Sequence, residues 1–140
     1  MPDRLSFEDL MKIAEALLGV PAAVLERSVC IFRAESSLAA PFARAYGADL
    51  HPDPVERAVI CALRMIRSRP FLKGNPAIGY ACMRLMLHRS NYLWLRHGED
   101  AKETSETLER LEAAPRNQRE FLCWVRSKVK KRNELDEPTA

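Results

Sequence analysis

The chain has 140 residues, enough for one domain around one hydrophobic core and too few for two ordinary ones. Its 47% apolar and 29% charged residues exclude a disordered or collagen-like chain, and its net charge of +3 is modest. No apolar run approaches the roughly 18 residues of a membrane span, and Met1 to Leu5 lead into no signal-peptide core, so a cytoplasmic protein without membrane segments is expected.

Ser6 and Asp9 form a capping-box pattern, and Phe7, Leu10, Ile13, Ala14, Leu17 and Leu18 then recur at helical spacing up to a stop at Gly19. Pro21 suits the first turn of a second helix, whose stripe is Val24, Leu25, Ser28, Val29 and Phe32. A short third helix is predicted over Glu35 to Ala40, ending near Pro41 and resuming through Ala45 before Gly47. The loop Ala48 to Pro54 closes by capping the next helix with Asp53 and starting it with Pro54. Val55, Val59, Ala62, Leu63 and Ile66 line the buried face of that helix.

After a loop at Arg69, Asn75 is the predicted cap and Pro76 the start of a helix running to about Trp94. It is apolar nearly all round from Ala77 to Leu87, as befits the central buried helix. Asp100 and Glu103 mark a further helix with Leu108 and Leu111 on one side, ended by Pro115, and Phe121, Leu122, Trp124, Val125 and Val129 define the last. No alternating strand pattern is evident. The predicted fold is all-α, a single compact domain of about six to seven helices over residues 1–132, followed by a polar tail over 133–140.

Cys30, Cys61, Cys82 and Cys123 are widely spaced within apolar helical patterns, which predicts reduced core thiols and no zinc or redox motif. His51, His88 and His97 have no ligand spacing with Cys, Asp or Glu; core, capping or surface roles are expected, and no metal site is predicted. From Arg57 to Gly98 there are eight basic residues (Arg57, Arg64, Arg67, Arg69, Lys73, Arg84, Arg89, Arg96) and no acid. This segment either meets the acidic helix around Glu99, Asp100, Glu103, Glu106, Glu109 and Glu112, or presents a positive field to an external anion. Lys128, Lys130, Lys131 and Arg132 form a second small basic cluster at a helix end.

The most distinctive stretch is Arg69-Pro70-Phe71-Leu72-Lys73-Gly74-Asn75-Pro76-Ala77. A Gly-Asn turn opening a helix exposes unpaired backbone N–H groups that, with the helix dipole, attract an anion. Arg69, Lys73, Gly74 and Asn75 are therefore the anion-binding candidates, and Pro70 and Phe71 the loop's scaffold, with Phe71 as the core plug. Its frame resembles the Fic/Doc (Fido) signature His-Pro-Phe-x-Asp-Gly-Asn-Lys-Arg. Glu35-Ser36-Ser37-Leu38-Ala39-Ala40-Pro41 is similar to the Glu-Ser-Ala-Leu-Ala-Arg-Pro segment of Doc-like sequences, and the order of helices around both fits, so the resemblance covers nearly the whole chain.

The resemblance implies an all-helical fold and a family that transfers AMP, phosphate or a related group to a hydroxyl, usually on a protein; many Doc-like members are toxins. In that family the His is the base, the acid holds magnesium and the Lys-Arg pair grips phosphate. At the corresponding positions this chain has Arg69, which stays protonated and cannot act as a base, and Lys73, which repels magnesium. The phosphate grip falls on Pro76 and Ala77, and a further family arginine on Tyr80. Ser105 to Glu109 resembles the inhibitory element of some Fic proteins, but Arg110 and Tyr80 break the pattern, leaving an ordinary acidic helix.

Loss of a general base costs about 10²- to 10⁴-fold in rate, before any loss of metal and phosphate contacts. The first expected function is thus a degenerate Fic/Doc-fold pseudoenzyme, a binding or regulatory module with an antitoxin-like or other protein partner and a nucleotide or phosphate as ligand. The second is a metal-independent transferase using Arg69, Lys73 and the Gly74-Asn75 amides, with His51 or His88 as base. The third, supported by no nucleic-acid motif, is a small basic nucleic-acid binder.

Overall fold

The first helix, α1 (Phe7–Leu18), is started by a reciprocal capping box. Ser6 N–H donates to Asp9 Oδ2 and Asp9 N–H to Ser6 Oγ, each at 3.0 Å. Gly19 ends it at φ 65°, where a residue without a Cβ turns left-handed at least cost. In this computed structural model, which describes residues 1–95, 100–114 and 117–132, seven α-helices follow one another with two small antiparallel ladders. The fold is all-α. His97, Pro115 and the tail from Asn133 lie outside the described residues.

The second predicted stripe divides in two. Helix α2 (Ala22–Ser28) and helix α3 (Ile31–Ala39) are separated by extended backbone at Val29 and Cys30. The cause is tertiary: Cys30 N–H donates to Pro70 O at 2.8 Å rather than continuing α2. Phe32, expected on the core stripe, is consequently 81% exposed. A 3₁₀ turn at Ala40–Phe42 follows, and the expected helical resumption through Ala45 is instead a tight hairpin of β1 (Arg44–Ala45) and β2 (Ala48–Asp49). Tyr46 and Gly47 both have positive φ, 51° and 77°, the backbone of a two-residue hairpin turn.

Helix α4 (Pro54–Ser68) begins as predicted, with Asp53 accepting from Val55 N–H and Pro54 in the first turn. Helix α5 (Asn75–Arg89) is shorter than expected. Ser90 N–H closes its end and Asn91 turns left-handed at φ 62°, so Trp94 lies on β3 (Tyr92–Trp94). Helices α6 (Asp100–Ala113) and α7 (Gln118–Lys128) follow, and β4 (Val129–Lys131) then pairs with β3 in the register Tyr92↔Lys131, Leu93↔Lys130, Trp94↔Val129. Pairing across that sequence distance leaves no local signal.

The core is centred on α4 and α5. Val59, Ala62, Met65, Ile78, Cys82, Met83 and Met86 are almost wholly buried there, each larger aliphatic side chain stabilising by roughly 1.5–3 kcal/mol. Gly79 sets their spacing: a Cβ on it would lie 2.9 Å from Ala62 O and 3.2 Å from Met65 Cβ. Cys61 and Cys82 meet in this interface, and a hydrogen bond from the Cys61 thiol to Cys82 together with burial pushes the Cys61 thiol well up, which keeps it protonated. Cys30 is half-buried and Cys123 is exposed, contrary to the core role expected of both; Cys123 falls on the solvent side of α7 between Leu122 and Trp124.

Polar contacts fasten the periphery to this pair. Arg57 is buried and donates from Nε to Asp3 Oδ2 at 2.8 Å, and from Nη1 to His51 O at 3.1 Å and Pro52 O at 2.8 Å. Among the described residues Asp3 Oδ1 has no hydrogen-bond partner, a residual desolvation cost. Arg126 reaches Asp53 at 2.8 Å, joining α7 to the start of α4. Arg84 lies 4.4 Å from the Trp94 ring centroid and donates to Tyr80 Oη at 2.6 Å. Among the described residues no helix is long and apolar enough to cross a membrane.

Two outcomes follow from these contacts. Gly79→Ala is expected to force α4 and α5 apart and to destabilise the fold by about 1–3 kcal/mol despite its better helix propensity, read as a lower urea midpoint. The Asp9 carboxyl is held below its ordinary value of 3.8 chiefly by the Ser6 N–H and then by Arg89. Its stabilisation is therefore complete above the unfolded value and is lost as pH falls through the lower folded one. Asp9→Asn should lower the melting temperature at neutral pH, with the difference from the wild type vanishing at strongly acid pH.

Candidate functional site

The loop between α4 and α5 is held at both ends and across its middle. Arg69 caps α4 in a left-handed conformation at φ 51°, and its N–H returns to Met65 O at 3.1 Å. Pro70 is buried and its carbonyl is taken by Cys30; Phe71 is 4% exposed in the core. Leu72 and Lys73 then project outward. Gly74 turns left-handed at φ 78°, and a Cβ there would lie 2.6 Å from Leu18 Cδ2, so glycine suits both the backbone and the packing against α1.

Asn75 has a different position from the one expected. Gly74 is the N-cap of α5 and Asn75 its first helical residue, 2% exposed. Its amide spans the loop: Phe71 N–H donates to Asn75 Oδ1 at 3.0 Å, and Asn75 Nδ2 donates to Phe71 O at 2.8 Å. Both backbone groups of a buried residue are thereby satisfied by one side chain. Asn75 acts here as a latch that fixes the loop, and its side chain is directed into the protein rather than toward a ligand.

What remains for an anion is limited. Pro76 supplies no N–H, and Ile78 N–H is already bonded to Gly74 O at 2.9 Å, so Asn75 and Ala77 provide the first-turn backbone donors. Arg69 and Lys73 add two exposed cations beside them. This set does not fit magnesium. Lys73 stands where the resemblance requires an acid, and no group of three or more His, Cys, Asp or Glu that could hold a metal occurs among the described residues.

The histidines named as alternative bases lie elsewhere. His51 precedes α4 and pairs with Glu56 Oε1 at 3.2 Å, while Arg69 follows the same helix, about 22 Å away by helical rise. His88 is exposed in the last turn of α5, about 20 Å from Asn75 on the same measure.

The basic segment sorts itself in three dimensions. Arg57 is neutralised by Asp3, Arg89 by Asp9 at 3.2 Å, and Arg84 stacks on Trp94. The acidic helix α6 is turned toward α7: Glu103 accepts from Lys128 at 2.7 Å and Trp124 Nε1 at 2.9 Å, and Arg110 meets Glu120 at 3.9 Å. Arg64, Arg67, Arg69 and Lys73 lie at the end of α4 and in the loop, while Arg96 lies outside the described residues. Arg33, Ser37 and Ser68, which link α3 to this end of α4, were missed as a group; the polar positions 33, 36 and 37 facing 64, 67 and 68 are the signal that marks them.

Asn75→Ala should strand the buried Phe71 N–H and C=O and destabilise the protein by about 2–4 kcal/mol. Lys73→Ala should leave stability within about 0.5 kcal/mol, as for an exposed side chain. Thermal melts of the two variants beside the wild type check the contrast.

No family model, curated protein or solved structure matches the chain.

Proposed function

We propose that this chain is a degenerate Fic/Doc-type domain that works as a binding or regulatory module and not as a transferase. The observation that carries this is the state of the Arg69 to Asn75 loop. Its asparagine is consumed as a structural latch, its base position is a guanidinium, and its acid position is an ammonium. A loop built this way keeps its shape without the chemistry of proton abstraction or metal binding. Its surroundings carry positive charge from Arg64, Arg67, Arg69 and Lys73, which favours an anionic ligand containing phosphate. A protein partner in the cytoplasm, antitoxin-like or regulatory, fits a domain retained for binding.

The metal-independent transferase is the less favoured form of the same idea, because His51 and His88 sit at the opposite ends of α4 and α5 from the loop. A nucleic-acid binder is weaker still: Arg57, Arg84 and Arg89 are spent on internal contacts, which breaks up the basic segment as a continuous surface.

The purified chain is expected to transfer neither AMP nor phosphate from ATP to protein hydroxyls above background, with or without magnesium, by intact mass and radiolabel. Robust magnesium-dependent transfer would overturn the proposal. Metal-independent transfer abolished by Arg69→Ala with Lys73→Ala would establish the second form instead.

A further inference from the structure

A groove of about 220 Å³ opens between α3 and the last turns of α4, its lining running as far as Ser68. Arg33, Arg64 and Arg67 line it together with Ser36, Ser37 and Ser68, and no Asp or Glu lines it among the described residues. Glu35, the acid of α3, lies on a different groove beside Arg4 and Ser6. From this we infer that the α3–α4 groove is a binding site for a phosphomonoester.

Arg33 and Arg64 are brought together in this groove, and their lack of a carboxylate partner among the described residues, shared with Arg69 and Arg84, differs from the state of five other arginines. Arg44, Arg57, Arg89, Arg110 and Arg126 each have a carboxylate partner, whereas none of the ion pairs among the described residues uses Arg33 or Arg64. Arg33 Nη1 reaches Ser68 O and Arg64 Nη2 reaches Ser36 Oγ, each at 3.4 Å, the weak end of the hydrogen-bond range and to neutral oxygens. Like charges gathered in one groove repel each other unless an anion occupies it. Guanidinium forks matched to a phosphoryl group supply that anion's bonds in pairs.

Of the three hydroxyls, only that of Ser36 has a proton to give to a ligand. Ser37 Oγ donates to Arg33 O at 2.8 Å, so across the 3.0 Å contact with Ser68 it is Ser68 that donates. Ser36 Oγ accepts from Arg64, and its own proton is available to a phosphate oxygen. The volume is below the roughly 300–1,000 Å³ of pockets that enclose a whole drug-sized ligand. It suits a headgroup whose alcohol portion lies outside. At the mouth, Phe32 is 81% exposed and offers an apolar face for that portion.

The test is calorimetric titration of phenyl phosphate and of inorganic phosphate into the full chain at low ionic strength. Phenyl phosphate is expected to bind saturably and more tightly than inorganic phosphate, with affinity falling as salt is raised. Arg33→Gln and Arg64→Gln should each weaken it by roughly tenfold or more, and Phe32→Ala should abolish the preference for the aromatic ester. Arg69→Ala with Lys73→Ala should weaken binding less than either groove variant does, through the long-range field alone. Circular dichroism of each variant controls for folding. Absence of saturable binding, or affinity unchanged in both Arg33→Gln and Arg64→Gln, would overturn the inference. Loss of binding in the loop double variant alone would also overturn it, moving the anion to the loop named under the proposed function. Equal affinity for the two probes would overturn the assignment of Phe32.

Discussion

Gly79 on α5 lies so close to α4 that a Cβ on it would stand 2.9 Å from Ala62 O, and the arrangement of the core depends on that approach. Glycine in a helix interior costs about 0.5–1 kcal/mol relative to alanine. Here that cost is offset by close contact between the two helices that contribute most of the core. Their spacing fixes the distance that residues 69 to 74 must bridge. Phe71 is inserted beneath the bridge and Asn75 closes it, so the loop's geometry follows from packing rather than from any bound group.

Charge in the fold is divided between structural and surface uses. Arg57, half of a buried pair with Asp3, ties the extreme N-terminal segment and the carbonyls of His51 and Pro52 to α4. Lys128 is similarly drawn in by Glu103, near the edge-to-face rings of Trp94 and Trp124. Removing one member of a buried pair generally costs more than the pair contributes, because the other charge is left desolvated. Arg33, Arg64, Arg69 and Lys73 lie where α3, the end of α4 and the loop follow one another. That separation gives a small net charge a local consequence.

The loop shows how far residue identity carries. That Arg69 cannot serve as a base or Lys73 as a metal ligand, at the positions where the resembled motif has them, is readable without coordinates. The role of Asn75 was not readable. A Gly-Asn pair before a helix is compatible with an asparagine N-cap, and only the left-handed Gly74 and the buried Phe71 backbone convert it into a latch. The α3–α4 groove was hidden for a related reason: Ser36 and Ser37 lie in one segment and Arg64 and Ser68 in another, and neither is a site without the packing of the two helices.

Local signals alone determined the all-α class, the Ser6–Asp9 capping box, the stop at Gly19 and the Asp53-Pro54 start of α4, because each depends on residues within one or two turns. Tertiary contact decided the rest. Capture of the Cys30 N–H by Pro70 divided α2 from α3, and the β3–β4 ladder took Trp94 out of α5. The α4–α5 interface brought Cys61 to Cys82. These are pairings between distant segments, whose free energy exists only once the chain has closed the intervening loops, so periodicity in the sequence carries no trace of them.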